Sequence, residues 1–163
     1  MNNQVCPFTI QYDTAEQKPW LFEGLTVKLN KKDIPLQVFL IKKHLQTGDY
    51  TIQGRDQDIC IERKSIPDLI GTIVNSRDRF ERELRRMKVM NYAAVVVEGS
   101  WSTAQRWCSD NTDMNPKSLD SSILTFMMRY PWCHWIFRPS RFAAMKTTYK
   151  IFDLYWRRIL NAK

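Results

Sequence analysis

Five consecutive apolar residues, Ala93-Ala94-Val95-Val96-Val97, constrain the fold of this 163-residue chain more than any other segment. The run is too short for an ordinary helix, ends in three β-branched residues and never alternates with polar positions. Such a strand has no face to offer water, so it belongs at the centre of a buried sheet. Glu98-Gly99-Ser100 terminates it.

Further strands are predicted over residues 8–12, 26–29, 36–43, 50–54, 59–63 and 132–137. The segment 36–43 also admits a helix, although Val38-Phe39-Leu40-Ile41 suits a strand better. Ser65-Ile66-Pro67-Asp68 fits a capping box, with proline in the first helical turn and Leu69, Ile70, Ile73 and Val74 as the apolar stripe. A second helix is predicted over 78–90, with Phe80, Leu84 and Met87 on one side. Residues 101–115 read as a short helix and a polar loop. Asn115-Pro116 then opens a helix carrying Leu119, Ile123, Phe126 and Met127. The longest helix, over 141–160, places Phe142, Met145, Tyr149, Phe152, Trp156 and Ile159 at helical spacing. Neither a repeat nor a linker interrupts the chain, so 1–163 reads as a single domain of α/β or α+β class with a central sheet.

Lys and Arg number 25 against 17 Asp and Glu, a formal charge of +8 that favours a polyanionic partner, nucleic acid first. With 44% hydrophobic and 12% aromatic residues the chain is not disordered. Cys6, Cys60, Cys108 and Cys133 are scattered, as free thiols in a reducing compartment would be. Cys133 and His134 are adjacent, hence on opposite faces of a strand, which argues against a shared zinc. No apolar run approaches the ~20 residues of a membrane span. The start, Met1-Asn2-Asn3-Gln4, lacks a signal core. An intracellular location, cytoplasmic or nucleoid-associated, is expected.

Asp49 heads one predicted strand, while Glu62 and Lys64 end the next. Two residues apart on a strand, Glu62 and Lys64 share a face, and a hairpin across 55–58 would bring Asp49 beside them. Two carboxylates and an ammonium at one spot suit a divalent metal, Mg²⁺ or Mn²⁺, and an attacked phosphate. The lysine would orient a metal-activated water or neutralise charge growing on the phosphate. The Arg63 carbonyl could fill a further metal position. Acid-x-lysine alone is also common on exposed edge strands, so the spacing by itself does not decide.

Gly48-Asp49-Tyr50 followed by Glu62-Arg63-Lys64-Ser65-Ile66-Pro67-Asp68 resembles the signature of the XPF-type structure-specific nucleases. Arg77 to Leu84 looks like the arginine-bearing helix of that family, and Ala93 to Glu98 like its valine-rich strand. The resemblance extends over nearly the whole chain, in the compact single-domain form seen in phages and bacteria, without a helix-hairpin-helix module. It implies a restriction-endonuclease-like fold, a mixed central β-sheet flanked by helices, and Mg²⁺- or Mn²⁺-dependent cutting of DNA. It makes Asp49 and Glu62 metal ligands and Lys64 the catalytic lysine. Asp68 is the motif's last acid and equally a helix-capping carboxylate, two compatible roles.

Members usually begin with Asp-x-Arg-Glu, whereas this chain has Asp13-Thr14-Ala15-Glu16. Asp13 is expected as a third metal-site acid and Glu16 as its neighbour. Ala15 removes a positive charge that could bind phosphate or brace carboxylates, a task left to Arg63 or Arg79. Arg79, early in its helix, is the chosen phosphate contact, and the remaining charges over 77–88 read as a solvated face. Trp135 and Trp156 are expected in the core. Trp20 and Trp101, among polar residues, would be free to touch a ligand. Neither His44 nor His134 receives a catalytic role. The expected function is a metal-dependent DNA endonuclease acting on branched, nicked or otherwise structured DNA, without a nucleotide cofactor, as a homodimer or with a partner protein. The alternative is a nuclease-fold DNA-binding subunit with a weakened centre.

Overall fold

The computed structural model describes residues 4–161 as one seven-stranded mixed sheet with helices on both faces. In chain order the strands are β1 (Gln4–Tyr12), β2 (Thr26–Leu29), β3 (Lys32–Lys42), β4 (Tyr50–Ile52), β5 (Ile59–Ser65), β6 (Tyr92–Glu98) and β7 (Cys133–Arg138). The helices are α1 (Ile66–Asn75), α2 (Arg77–Arg86), α3 (Trp101–Asn111), α4 (Pro116–Arg129) and α5 (Arg141–Asn161), with a 3₁₀ turn at Met87–Val89. The strand order is β2-β3-β1-β4-β5-β6-β7. The pairs β1–β3, β5–β6 and β6–β7 are parallel, and the other three antiparallel.

The apolar run falls in β6, which lies between β5 and β7 with Ala93 to Val97 fully buried. Its residues alternate between two cores. Ala94 and Val96 pack on the α5 side with Ile10, Trp20, Tyr50 and Phe152. Ala93, Val95 and Val97 pack against Leu69, Leu84, Ile123 and Phe126 of α1, α2 and α4. Parallel strands need crossovers, and helices supply those from β5 to β6 and from β6 to β7, so the apolar run, the helical stripes and the two-sided burial are one requirement.

Several boundaries differ from expectation. β3 is the strand preferred for that segment but starts earlier, at Lys32, because Asn30 and Lys31 adopt φ of 49° and 66° and close a tight hairpin from β2. β4 stops at Ile52, where Arg55 N–H bonds the Ile52 carbonyl. The helix expected over 78–90 ends at Arg86 and tightens into the 3₁₀ turn. Residues 101–111 are fully helical, with Ser100 Oγ accepting from Thr103 N–H as the N-cap. Phe142, expected in the core stripe, is half exposed and lies against Gly24. All four cysteines are free and buried. No helix among the described residues is long and apolar enough to cross a membrane.

Candidate active site

β5 sorts its residues by alternation. Cys60, Glu62 and Lys64 face the α1–α2 side, while Ile59, Ile61 and Arg63 face the α5 side. The Glu-Arg-Lys triplet is thereby split. Glu62 and Lys64 line a cavity of about 500 Å³ together with Asp49, Asp68, Arg79 and Glu83. Lys64 Nζ lies 2.9 Å from Glu62 Oε1 and 4.8 Å from the centroid of the Phe80 ring beneath it. Arg63 sends its guanidinium the other way. It forks onto both Glu98 oxygens at 2.7 and 3.0 Å and reaches both Glu16 oxygens at 3.1 Å. That double pair, shielded by the ring of Trp20, braces the 13–20 loop, while Arg63 still borders the cavity.

Asp49 is held by its backbone on both sides. Its N–H donates to the Ile61 carbonyl at 2.9 Å, and its carbonyl accepts from Asp13 N–H at 2.8 Å. Asp49 Oδ2 accepts from Arg63 N–H at 2.7 Å, which turns the carboxylate toward Glu62. Gly48 precedes it at φ 72°, where a Cβ would stand 2.9 Å from Cys60 Cβ. Only glycine enters this turn without strain.

The electrostatics follow from burial and crowding. Burial, then the charge of Glu62, holds the Asp49 carboxyl well above the ordinary carboxylate range. Glu62 is raised by burial despite its pair with Lys64. Burial works against the Lys64 charge, yet Glu62 outweighs it and raises the ammonium's pKa. The site therefore holds more negative charge than its one lysine neutralises. Among the described residues no three His, Cys, Asp or Glu side chains form a ready-made metal shell. The oxygen donors Asp49 and Glu62 nevertheless fit Mg²⁺ or Mn²⁺, which are commonly held by one or two carboxylates with water and substrate phosphate completing the shell.

Other expected site residues take different places. Asp13 does not line the cavity. Its Oδ1 accepts from Ala15 N–H at 2.8 Å, its Oδ2 from Leu45 N–H at 2.6 Å, and His44 Nδ1 lies 3.3 Å from Oδ2. Those bonds tie two loops together and leave the carboxylate outside the cavity that Asp49 and Glu62 line. Glu16 lies at the cavity wall but is paired to Arg63. Ser65 Oγ accepts from Asp68 N–H at 3.2 Å and donates to Asp68 Oδ2 at 2.6 Å, so the capping geometry is present while Asp68 also borders the cavity. Arg79 borders it too, exposed and with no acceptor in hydrogen-bond reach among the described residues. Trp20 is corrected outright. It is 1% exposed, stacks on Tyr50 and donates from Nε1 to Glu98. Trp101 likewise packs on Phe137 and donates to Asp120.

Two residues were not foreseen. Glu98, at the end of β6, anchors Arg63, Trp20 and Arg141 together. Glu83 reaches the cavity from α2 and accepts from Gly48 N–H at 2.9 Å. The only sequence signal for Glu83 was its place one turn beyond Phe80, among charges that looked solvated.

The family model described as the ERCC4 domain matches residues 13–149. Among solved structures, XPF from Aeropyrum pernix aligns with a TM-score of 0.66 and 19% identity, over 94% of this chain and 68% of that one. XPF from Aeropyrum pernix in complex with DNA aligns with a TM-score of 0.64 and 17% identity, over 93% of this chain and 66% of that one. This chain spans about two thirds of the length of those structures. At such identities the likeness is one of fold. No curated protein matches the chain.

Proposed function

The chain belongs to the ERCC4 domain family, a family of nuclease domains, and from that premise we propose that it is a metal-dependent endonuclease hydrolysing phosphodiester bonds in branched, nicked or otherwise structured DNA. The observation that carries the proposal is the convergence of Asp49, Glu62 and Lys64 on one open cavity, at 2.9 Å for the Glu62–Lys64 pair. Asp49 and Glu62 would hold the cation. When bound, the cation supplies polarisation of the scissile phosphate and a water of lowered pKa.

The remaining roles belong to the chain itself. Lys64, kept charged by Glu62, offers an ammonium to the negative charge that grows on the phosphate. Phe80 beneath it limits where that ammonium can move. Arg79 stands at the cavity edge as a phosphate contact, filling part of the place left by Ala15. Arg63 acts indirectly, through its amide on Asp49 and its guanidinium on Glu16. The net charge of +8 draws the polyanion in.

Ala15 supports a second reading, a DNA-binding subunit of the nuclease fold with a weakened centre. Retention of Asp49 and Glu62 favours the enzyme, since two crowded carboxylates are costly to keep without a cation. The test is cleavage of labelled flap, fork, junction and linear DNA with Mg²⁺ or Mn²⁺ by the parent, Asp49→Ala and Glu62→Ala proteins. Cleavage by the parent and not by the variants is expected. Equal cleavage by all three would sink the mechanism, and a parent that binds DNA but neither cleaves it nor binds Mn²⁺ by calorimetry would favour the subunit.

A further inference from the structure

Asp49 precedes β4 and depends for its place on the turn that delivers it. The critical amide in that turn belongs to Gly48, whose left-handed backbone takes its N–H out of the sheet ladder. A shielded amide needs an acceptor. Here the acceptor is Glu83 Oε1 at 2.9 Å, supplied by a helix 35 residues further along the chain. The other carboxylate oxygen of Glu83 pairs with Arg86, three residues on.

The rest of α2 serves the same cavity. Phe80, one turn before Glu83 and on the same side of the helix, lies under Lys64 Nζ, and Arg79 borders the cavity with its guanidinium unpaired among the described residues. One rigid helix thus touches the ammonium, the approach to the cavity and the Gly48-Asp49 turn. Electrostatics alone would disfavour Glu83 here, since its charge adds to the crowding around Glu62. Its hydrogen bond to the turn gives a reason for its presence.

We infer that Glu83 is a positioning residue, which sets Asp49 against Glu62 and Lys64 by accepting the Gly48 amide. It acts through that bond rather than through its charge. Glutamine, which keeps the acceptor oxygen, therefore serves in its place, whereas methionine, which keeps the length of the side chain without a strong acceptor, does not.

The inference rests on the nuclease reading for its kinetic consequence only, so the test has two arms. The first is amide hydrogen exchange at Gly48, followed by NMR in the parent, Glu83→Gln and Glu83→Met proteins. Exchange is expected to quicken about tenfold in Glu83→Met, the equivalent of one lost hydrogen bond, and to stay within about threefold of the parent in Glu83→Gln. The second arm is steady-state cleavage of a flap-bearing duplex with Mg²⁺. Glu83→Met is expected to lose about 10–100-fold in kcat with KM for DNA nearly unchanged, and Glu83→Gln to recover most of the loss. Unchanged Gly48 exchange in Glu83→Met overturns the inference, as does a Glu83→Gln protein as slow as Glu83→Met. If no protein cleaves, the parent included, the nuclease reading fails, while the exchange arm still decides whether Glu83 holds the turn. Should Glu83→Met not fold, Glu83→Ala replaces it in both arms with the same expected outcomes.

Discussion

Lys64 Nζ lies 2.9 Å from Glu62 Oε1, both on the same face of β5, and this one ion pair offsets only part of the charge that Asp49 and Glu62 place in the cavity. A carboxyl whose pKa is raised on folding costs stability at every pH above its ordinary value. The cost shrinks as pH falls below the raised value and is gone below the ordinary one. Asp49 is in that condition, because burial and Glu62 both oppose its ionisation.

Asp49→Asn is therefore expected to stabilise the metal-free protein at pH 7 while abolishing cleavage. The amide oxygen can still accept from Arg63 N–H, so the gain should resemble that of other relieved functional sites, about 1 kcal/mol or a Tm rise of roughly 2–4 °C. Thermal unfolding with and without Mg²⁺ checks it. Mg²⁺ should raise the Tm of the parent more than that of the variant.

Lys64→Ala should lower cleavage about 100–1000-fold, the range expected when one preorganised electrostatic group is removed from a reacting centre. DNA affinity should change little, because one partly enclosed ammonium among 25 basic side chains contributes little to overall attraction. Single-turnover cleavage beside fluorescence anisotropy separates the two effects.

Gly48→Ala is expected to destabilise the fold by about 1–3 kcal/mol. The methyl group would meet Cys60 Cβ at 2.9 Å and the Ile61 carbonyl oxygen at 3.2 Å, in a backbone already at φ 72°. Urea denaturation measures the loss. Gly54→Ala, where the added methyl meets nothing within 4 Å, carries only the backbone part and should cost less.

Arg79→Ala should weaken DNA binding and reduce the slope of log K against log salt by about 0.9, the signature of one lost phosphate contact. Ala15→Arg, at an exposed position on the cavity wall, should restore a comparable contact and steepen the slope by about the same amount. Anisotropy titrations across a salt series test both variants. An unchanged slope would remove Arg79 from the phosphate path.

Glu81 is one acid-sensitive element of the fold. The Tyr130 hydroxyl donates to its Oε2 at 2.7 Å, and with Arg77 and Arg129 holds the carboxyl below its ordinary value against the effect of burial. A depressed carboxyl stabilises the protein above its unfolded pKa, and that stability is lost as pH falls through the folded value. Tyr130→Phe should cost about 1.5–3 kcal/mol at pH 7, a hydrogen bond to a charged group. The difference from the parent should shrink as pH drops below about 4.3, the ordinary glutamate value. Denaturation midpoints between pH 7 and pH 3 check the sign.

The two-sided sheet was legible from Ala93 to Val97 because a strand without polar alternation has only one environment open to it. α1 was legible from Ser65-Ile66-Pro67-Asp68, whose capping bonds are local. α3 was less so. Its buried residues are Ala104 and Cys108, small side chains scattered among Ser, Thr and Asn, and they make a weak stripe. Phe142 and Trp20 failed in opposite directions. Helical spacing placed Phe142 inside, and it does share the arc of Tyr149, but it stands in the first turn of α5 and is half exposed. Polar neighbours placed Trp20 outside although its indole fills the space above Tyr50.

The same division runs through the site. The sequence alone determined that Glu62 and Lys64 project together, because alternation along a strand is a property of the backbone and needs no partner. It also put Asp49 at the head of the neighbouring strand. Tertiary structure decided what surrounds them. It turned Arg63 onto Glu16 and Glu98, drew Asp13 away to Leu45 and His44, and brought Glu83 back to Gly48. Those contacts join segments far apart in the chain, and each exists only because the packed sheet and helices hold its two ends within hydrogen-bond reach.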